Sequence, residues 1–583
     1  MANRIAFWTP YASFVKAKAQ PLLTRSTFAG ASRFKSGPAK FSGQLSAFHP
    51  AAPSFKLGDP KKSPALLKGQ FNHIGQSLDV GGQGDPWTVS VPSISFAKWL
   101  HSFDWLQDLL SPKKGAGKSR AAGYVDSWIV TYGKWNDFSW QADILGRRLF
   151  NWLTLWSEAL TQDSEGPVGR RRRSAVYRQL KVLKANYKQT SSGLNRMRAA
   201  AALAMGGAKL VERADGFLAR GLDLLDIEIE QQILADGGHI SRSPENTLEA
   251  LKILLALDTL LQDRGVEGSR LMSRAIDRLT PMIAFFQHTD GTLASFHGSG
   301  EGDLAFTKRL LAAAPSEAKP FGYCPHTGYQ RIGSGQTVVI VDTGSTPPHP
   351  FDTQTHMAPL SFELSTAHGR MIVNCGWNEM QPRAWQRPVR AAAAHSTLIL
   401  NGHSSGKLLR EGWKTRVLGQ AVQNEAGPVK AQRKEQVSGT WLETSHDGYR
   451  GQYGLSHRRR FFVSAEGDDV RGEDSLYVPL GAQPIRRDEI PFDIRFHFHP
   501  DVRVSLSQDQ RSALLVIGGK SGWRFRTDGG LIRVEPSVYL GAGHKPIKTQ
   551  QLVISGKAYG DSDGESRSNR VRWSLRELKS RSS

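Results

Sequence analysis

Cysteine is nearly absent: Cys324 and Cys375 are the only two among 583 residues. Two thiols cannot build a disulfide framework or a cysteine-based zinc site, although a single bridge between them is open. Long apolar runs are missing too. No stretch approaches the roughly 18 uninterrupted apolar residues of a membrane-spanning helix, and Ala199–Met205 is short, Ala-rich and flanked by basic residues. Acidic residues are scarce relative to basic ones, 53 against 76, which leaves a formal net charge of +23. That excess bears on partners and solubility rather than on fold. It does not by itself indicate nucleic acid, because no zinc finger, RNP motif or helix-turn-helix signature accompanies it. The opening MANRIAFWTPYASFVKAKAQ also lacks the apolar core and small-residue cleavage site of a secretory signal.

What is present describes a globular chain of several domains. Hydrophobic residues make up 39% and charged residues 22%, a balance that supports folded cores. Residues 1–70 carry 11 Lys or Arg and one acid, Asp59. Ser, Ala and Pro are frequent in the same stretch, so residues 1–65 read as a basic, disordered tail or a segment that meets a polyanion.

From residue 66 to 324 the pattern is helical. SFAKWLHSFDWLQDLL (95–110) places Trp99, Phe103, Leu106 and Leu110 at helical spacing. RRLFNWLTLWSEAL (147–160) does the same with Leu149, Trp152, Leu153 and Trp156. Further helices are predicted at 174–187, 192–213, 217–234, 245–262 and 268–286. Pro244 is placed to start one of them, and its apolar stripe runs through Ala250, Leu254, Leu257 and Leu261. Short Gly-bearing turns between helices suggest stacked antiparallel pairs. Arg170–Arg173 reads as a solvated loop leading into a helix.

The pattern changes near 325. GQTVVIVDTG, PLSFELS, GRMIVNCG and AHSTLILNG are short runs rich in β-branched residues with Gly, Asn or Asp stops. The same pattern continues to about 560 and predicts a large antiparallel β-sandwich over 325–560. Residues 561–583 read as a polar tail. The fold class is therefore α+β and multidomain, helix pairs first and sandwich second.

Two stretches concentrate polar chemistry. DGGHISRSPENTLEAL (236–251) puts His239, Arg242 and Asn246 at a helix entrance, where unpaired N–H groups favour anions. FFQHTDGTLASFHGSGEGD (285–303) adds His288 and His297, and the second half adds His356 and His395. His497 and His499 alternate along RFHFHP and read as a sandwich surface or interface.

These phrases, with HTGYQRI, THMAPLSFELSTAHGRMIVNCG, RAAAAHSTLILNGHSS, HRRRFFVSAEGDDVRGED, IRFHFHPDV and EPSVYL, resemble the bacterial heparinase II/III-like family in its alphaproteobacterial form. The resemblance covers roughly residues 66–555. It implies an (α/α) toroid joined to the sandwich, a cell-envelope or periplasmic setting, and an acidic polysaccharide as partner. Without an export signal, the cytoplasm is the alternative location. The implied chemistry is β-elimination next to a uronic carboxylate, which needs a neutraliser, a base and an acid.

Carried onto this chain, the resemblance gives Asn195 and Arg196 as carboxylate neutralisers and Gln354 in place of a first histidine. His356, His239, Arg242, Asn246 and Tyr329 are the catalytic candidates. Asn246 stands where the family often has Tyr, and an amide cannot exchange the proton. Tyr329 could supply the missing phenol, although a strand tyrosine is more often core packing, and His239 and Arg242 could equally belong to a turn that caps the helix. His356 stays open between a substrate contact, a metal ligand with His395, and a structural histidine. No cofactor is required, although some relatives hold a structural divalent metal; here Asn374 is a poor third ligand. Such substitutions keep a second reading in play, a non-catalytic polysaccharide-binding or envelope-assembly protein on the same scaffold.

Overall fold

The computed structural model describes residues 48–49, 55, 57–111, 115, 117–161, 164–211, 216–424, 427–479, 482, 489–560 and 569–578. Most of the basic segment read as 1–65 lies outside them. The chain divides into two compact units, Met1–Glu230 with Lys252–Arg274, and Gln231–Leu251 with Ala275–Ser583.

The first unit is helical. Helices Ile94–Ser102, Gly117–Tyr132, Ala142–Thr154, Pro167–Asn186 and Leu194–Lys209 supply most of it. Ala142–Thr154 packs on Leu194–Lys209, and Gly146 permits the approach, because a Cβ there would lie 3.1 Å from the Ala199 Cβ. Four corrections to the sequence reading arise here. The helix predicted over 95–110 stops at Phe103, whose φ of 59° makes a left-handed cap; the Phe103 ring packs on Trp87, Trp105 and Trp152. Gly117–Tyr132 was not foreseen, since Gly and polar residues blur its apolar stripe. Arg170–Arg173 lie within a helix that Pro167 starts, and Arg172 is buried against Asp126. Order also begins before 66: Leu57 is buried and Ser63–Leu67 forms a short helix.

The second unit is the sandwich. One antiparallel sheet runs, in spatial order, Ile532–Tyr539, Ile547–Tyr559, Glu489–Phe498, Gly369–Val373, Phe362–Thr366, Thr337–Asp342, Tyr329–Ser334, Tyr323–Cys324, with Leu398–Leu400 also on Glu489–Phe498. The other runs Val429–Gln436, Gly439–His446, Ser456–Ser464, Asp469–Tyr477, Arg570–Leu578, Ser521–Thr527, Ser512–Ile517, Val502–Leu506. Their inner faces share one core. Phe362 of the first sheet stacks on Trp573 of the second at 5.5 Å between centroids and 11° between planes, and Phe461 and Phe496 close around the same indole.

The sandwich does not end at 560, as the sequence reading had it. Val571, Trp573 and Leu575 point inward while Arg570, Arg572 and Arg576 point outward, so a strand with an apolar inner face looked like a charged tail. Gly472 is the residue opposite Trp573, and a Cβ there would fall 2.0 Å from the indole ring. Gly472→Ala should therefore cost about 1–3 kcal/mol through overpacking. The check is the thermal unfolding midpoint; an unchanged midpoint would mean the indole has room to move.

Candidate functional site

Seven of the residues singled out from the sequence, His239, Arg242, Asn246, Tyr329, Gln354, His356 and His395, lie in the second unit, where Arg242, Tyr329, His356 and His395 join His297 and Asp342 in a buried polar network. Arg242 is the hub. Its backbone sits at φ 64°, a left-handed conformation that turns the chain into helix Pro244–Asp263. Its guanidinium donates to the carbonyls of Thr327 (2.7 Å), Gly328 (2.9 Å) and Ser345 (3.2 Å), and pairs with Asp342. Gly344 leaves room for it, since a Cβ there would meet the guanidinium at 2.4 Å. Asp342 ends an entirely buried strand. Burial pushes its carboxyl up, but Arg242 and His297 outweigh this and hold it below the ordinary range. His297 Nε2 lies 3.1 Å from the other Asp342 oxygen.

The histidines continue as a chain. The backbone N–H of His356 donates to His297 Nδ1 at 3.1 Å. The N–H of Gly298 donates to His356 Nε2 at 3.1 Å. That leaves the proton of a neutral His356 on Nδ1, 2.8 Å from His395 Nε2. The His395 proton then sits on Nδ1 and meets the Ala391 carbonyl at 2.9 Å. Every ring nitrogen of His356 and His395 thus has a fixed partner. Burial, followed by the nearby His395, His297 and Arg390, puts the His356 pKa well below 6.5, and burial lowers that of His395 to about 4.

The remaining candidates are placed as follows. Tyr329 is fully buried and its hydroxyl donates to the Arg242 carbonyl at 2.7 Å; burial raises the phenol well above its usual value. The acid/base role expected of it would require breaking that bond. His239 accepts from the Ser241 N–H at 3.1 Å and faces Gln232 at 3.0 Å through Nε2, with burial lowering it to about 3. It secures the turn before the helix. Asn246 and Gln354 are half-buried neighbours, 3.5 Å apart at their amides, and Asn246 also donates to Ser241 at 2.9 Å. Asn195 and Arg196 belong to the first unit, in helix Leu194–Lys209. There Arg196 donates to the Thr190 carbonyl at 3.0 Å and lies 3.9 Å from Glu228.

Arg242, His297, Asp342, Thr355 and His356 surround a cavity of about 20 Å³, room for one water molecule. Such a space excludes a sugar ring. The metal that some relatives hold does not fit this donor set. The facing nitrogens of His356 and His395 are bonded to each other, the third position is the amide of Asn374, and no group of three His, Cys, Asp or Glu side chains among the described residues is placed to hold an ion.

Sequence reasoning missed Asp342, which looked like the polar stop of an apolar strand, and gave Glu245 no role. Glu245 accepts from the Gly300 N–H at 3.2 Å, and burial, with Glu379 and Glu249 nearby, pushes it up to about 7. His497 and His499 do not lie on an open surface. His497 is buried between Ser537 and the Ala393 carbonyl, and His499 pairs with Glu301 at 3.2 Å.

Comparison with known proteins places this geometry. The profile of the heparinase II/III-like C-terminal domain matches residues 317–574. FtsZ-localized protein C of Caulobacter vibrioides (strain NA1000 / CB15N) is 33% identical over 525 residues, 89% of this chain and 88% of that protein. The crystal structure of heparinase III superposes with a TM-score of 0.66 at 13% identity, covering 95% of this chain and 91% of the other. Heparan sulfate lyase HepC from Pedobacter heparinus gives a TM-score of 0.60 at 14% identity, with 90% and 83% covered. At these identities the solved structures share the fold alone.

Proposed function

We infer that this chain, which belongs to the heparinase II/III-like family, uses the lyase scaffold as a non-catalytic envelope-assembly protein that holds an acidic glycan without cleaving it. The observation that supports this reading is the closed hydrogen bonding of the candidate acids and bases. A general base must reach the proton it removes, directly or through one water. Both ring nitrogens of His356, both of His239 and the hydroxyl of Tyr329 are already committed to internal partners. The family's Tyr position holds Asn246, whose amide neither gives nor takes a proton at ordinary pH.

The relation to FtsZ-localized protein C over 525 residues favours the division site as the place of assembly, with FtsZ as an associated polymer. A net charge of +23 suits contact with polyanions. No helix among the described residues is long and apolar enough to cross a membrane.

The test is the ultraviolet absorbance of the unsaturated uronic product during incubation with heparin, heparan sulfate, alginate, hyaluronan and an envelope glycan extract. A flat trace with every glycan, together with retention of one of them on the protein, is the expected outcome. A rise in absorbance abolished by Glu245→Gln would overturn the reading and make that carboxyl the base. Co-sedimentation with FtsZ polymers tests the second association separately.

A further inference from the structure

The outward face of the eight-stranded sheet carries chemistry that the lyase fold does not call for. Cross-strand register aligns Trp441, Phe462, Arg471, Ser574 and Arg526 in one row across five strands. A second row, two residues along, aligns Glu443, Arg460, Glu473 and Arg572. Between them lies an open groove of about 520 Å³. Trp441 is 46% exposed and rests against Phe462 with centroids 4.7 Å apart. The Arg471 guanidinium lies 5.7 Å from the Phe462 centroid.

The charges on this face do not balance. Around the groove Glu443, Asp469, Glu473 and Asp528 equal Arg460, Arg471, Arg526 and Arg572 in number, and the positive excess of this face comes from Lys434, Arg458, Arg524, Arg570 and Arg576 in its outward rows. Arg460 and Arg572 share Glu473, each at 3.0 Å, and Arg471 is held by Asp469 at 2.6 Å. The Arg526 side chain is exposed and has no hydrogen bond or ion pair among the described residues. An exposed Trp with a half-buried Phe and arginines beside it is the composition of energetic centres in protein interfaces rather than of ordinary surface.

We propose that this face docks an acidic peptide segment of a partner protein, anchored by an aromatic or branched apolar side chain beside Trp441 and Phe462. Carboxylates of the segment meet Arg526 and Arg572, whose planar forks match them bidentately. The segment lies on the face and not along the sheet edge. All five strands beneath the groove are paired on both sides, and the edge strand beside them, Val429–Gln436, carries Lys430, Arg433 and Lys434, which discourage strand addition. This proposal goes beyond glycan holding and uses a different surface from the buried histidine network.

The experiment uses the full chain and fluorescence anisotropy of a labelled Glu-Glu-Phe repeat peptide, with polyglutamate and a heparin oligosaccharide as comparison probes. The repeat peptide should bind more tightly than polyglutamate and release as salt rises. Arg526→Glu with Arg572→Glu should weaken it at least about tenfold, and Trp441→Ala should remove the preference over polyglutamate. Lys545→Glu with Lys548→Glu, the same charge change at the turn into strand Ile547–Tyr559 of the other sheet, should leave binding intact. If the double reversal fails to fold, Arg526→Ala removes an exposed side chain without a partner and should still weaken binding. Equal losses in both double variants, or peptide binding unchanged by either, would overturn the proposal. A loss confined to the heparin probe would make the face a glycan site instead. Absorbance from glycan cleavage would defeat the non-catalytic reading and leave this result standing.

Discussion

Replacing Asp474 by Asn should lower the stability of the sandwich by about 3–5 kcal/mol, the cost of leaving a buried cation without its partner. Asp474 accepts from Arg459 at 2.7 and 3.0 Å, from Trp573 at 3.0 Å, and faces His457 at 2.8 Å. Neither Arg459 nor Asp474 exposes its side chain. Burial alone would raise the carboxyl, but Arg459 and His457 outweigh it and hold its pKa down. Asn keeps the shape and one acceptor oxygen but loses the charge, so Arg459 would retain the Leu360 and Ser396 carbonyls and one neutral amide oxygen, with an NH2 facing it where the second carboxylate oxygen was. Urea unfolding followed by tryptophan fluorescence reads the effect, because Trp573 reports on the same site. A loss under about 1 kcal/mol would mean that water reaches the guanidinium.

Acid should destabilise this protein earlier than its carboxylates would require. Burial lowers His101, His239 and His497 each to about 3, while in the unfolded chain each titrates near 6.5. Between those values the unfolded state binds the extra proton, so stability rises with pH across this window. It is fully present above 6.5 and drains away as pH falls toward 3. At pH 5 each histidine costs about 2 kcal/mol, about 6 together. The expected result is a thermal midpoint that falls steadily from pH 6.5 to 5. A midpoint constant over that range, falling only below pH 4.5, would assign the acid loss to carboxylates alone.

How far the residues revealed this in advance depended on whether the signal was local. Ala250, Leu254, Leu257 and Leu261 are all buried, because helical spacing states its own inward face. The change near 325 from helix-forming to β-branched residues is equally local. Arg570–Leu578 was hidden because outward arginines masked an alternation of Val571, Trp573 and Leu575. In the site, Arg242, Tyr329, His356 and His395 stood out as a set of residues, but their state did not. Whether a histidine nitrogen faces solvent or the N–H of Gly298 depends on a loop 58 residues away. Asp342 became visible only through Arg242, 100 residues earlier in the chain.

The place of Arg570–Leu578 also matters during synthesis. It lies between Asp469–Tyr477 and Ser521–Thr527, yet it emerges from the ribosome after every other described strand. Until then both neighbours present an open edge of unpaired amides, and the half-built sheet leaves Phe362 and Phe461 without the indole that covers them. Nascent chains stalled before this strand would be substrates for chaperones and proteases, and a frameshift or nonsense codon near 565 should give a product that is degraded rather than one that is merely shortened.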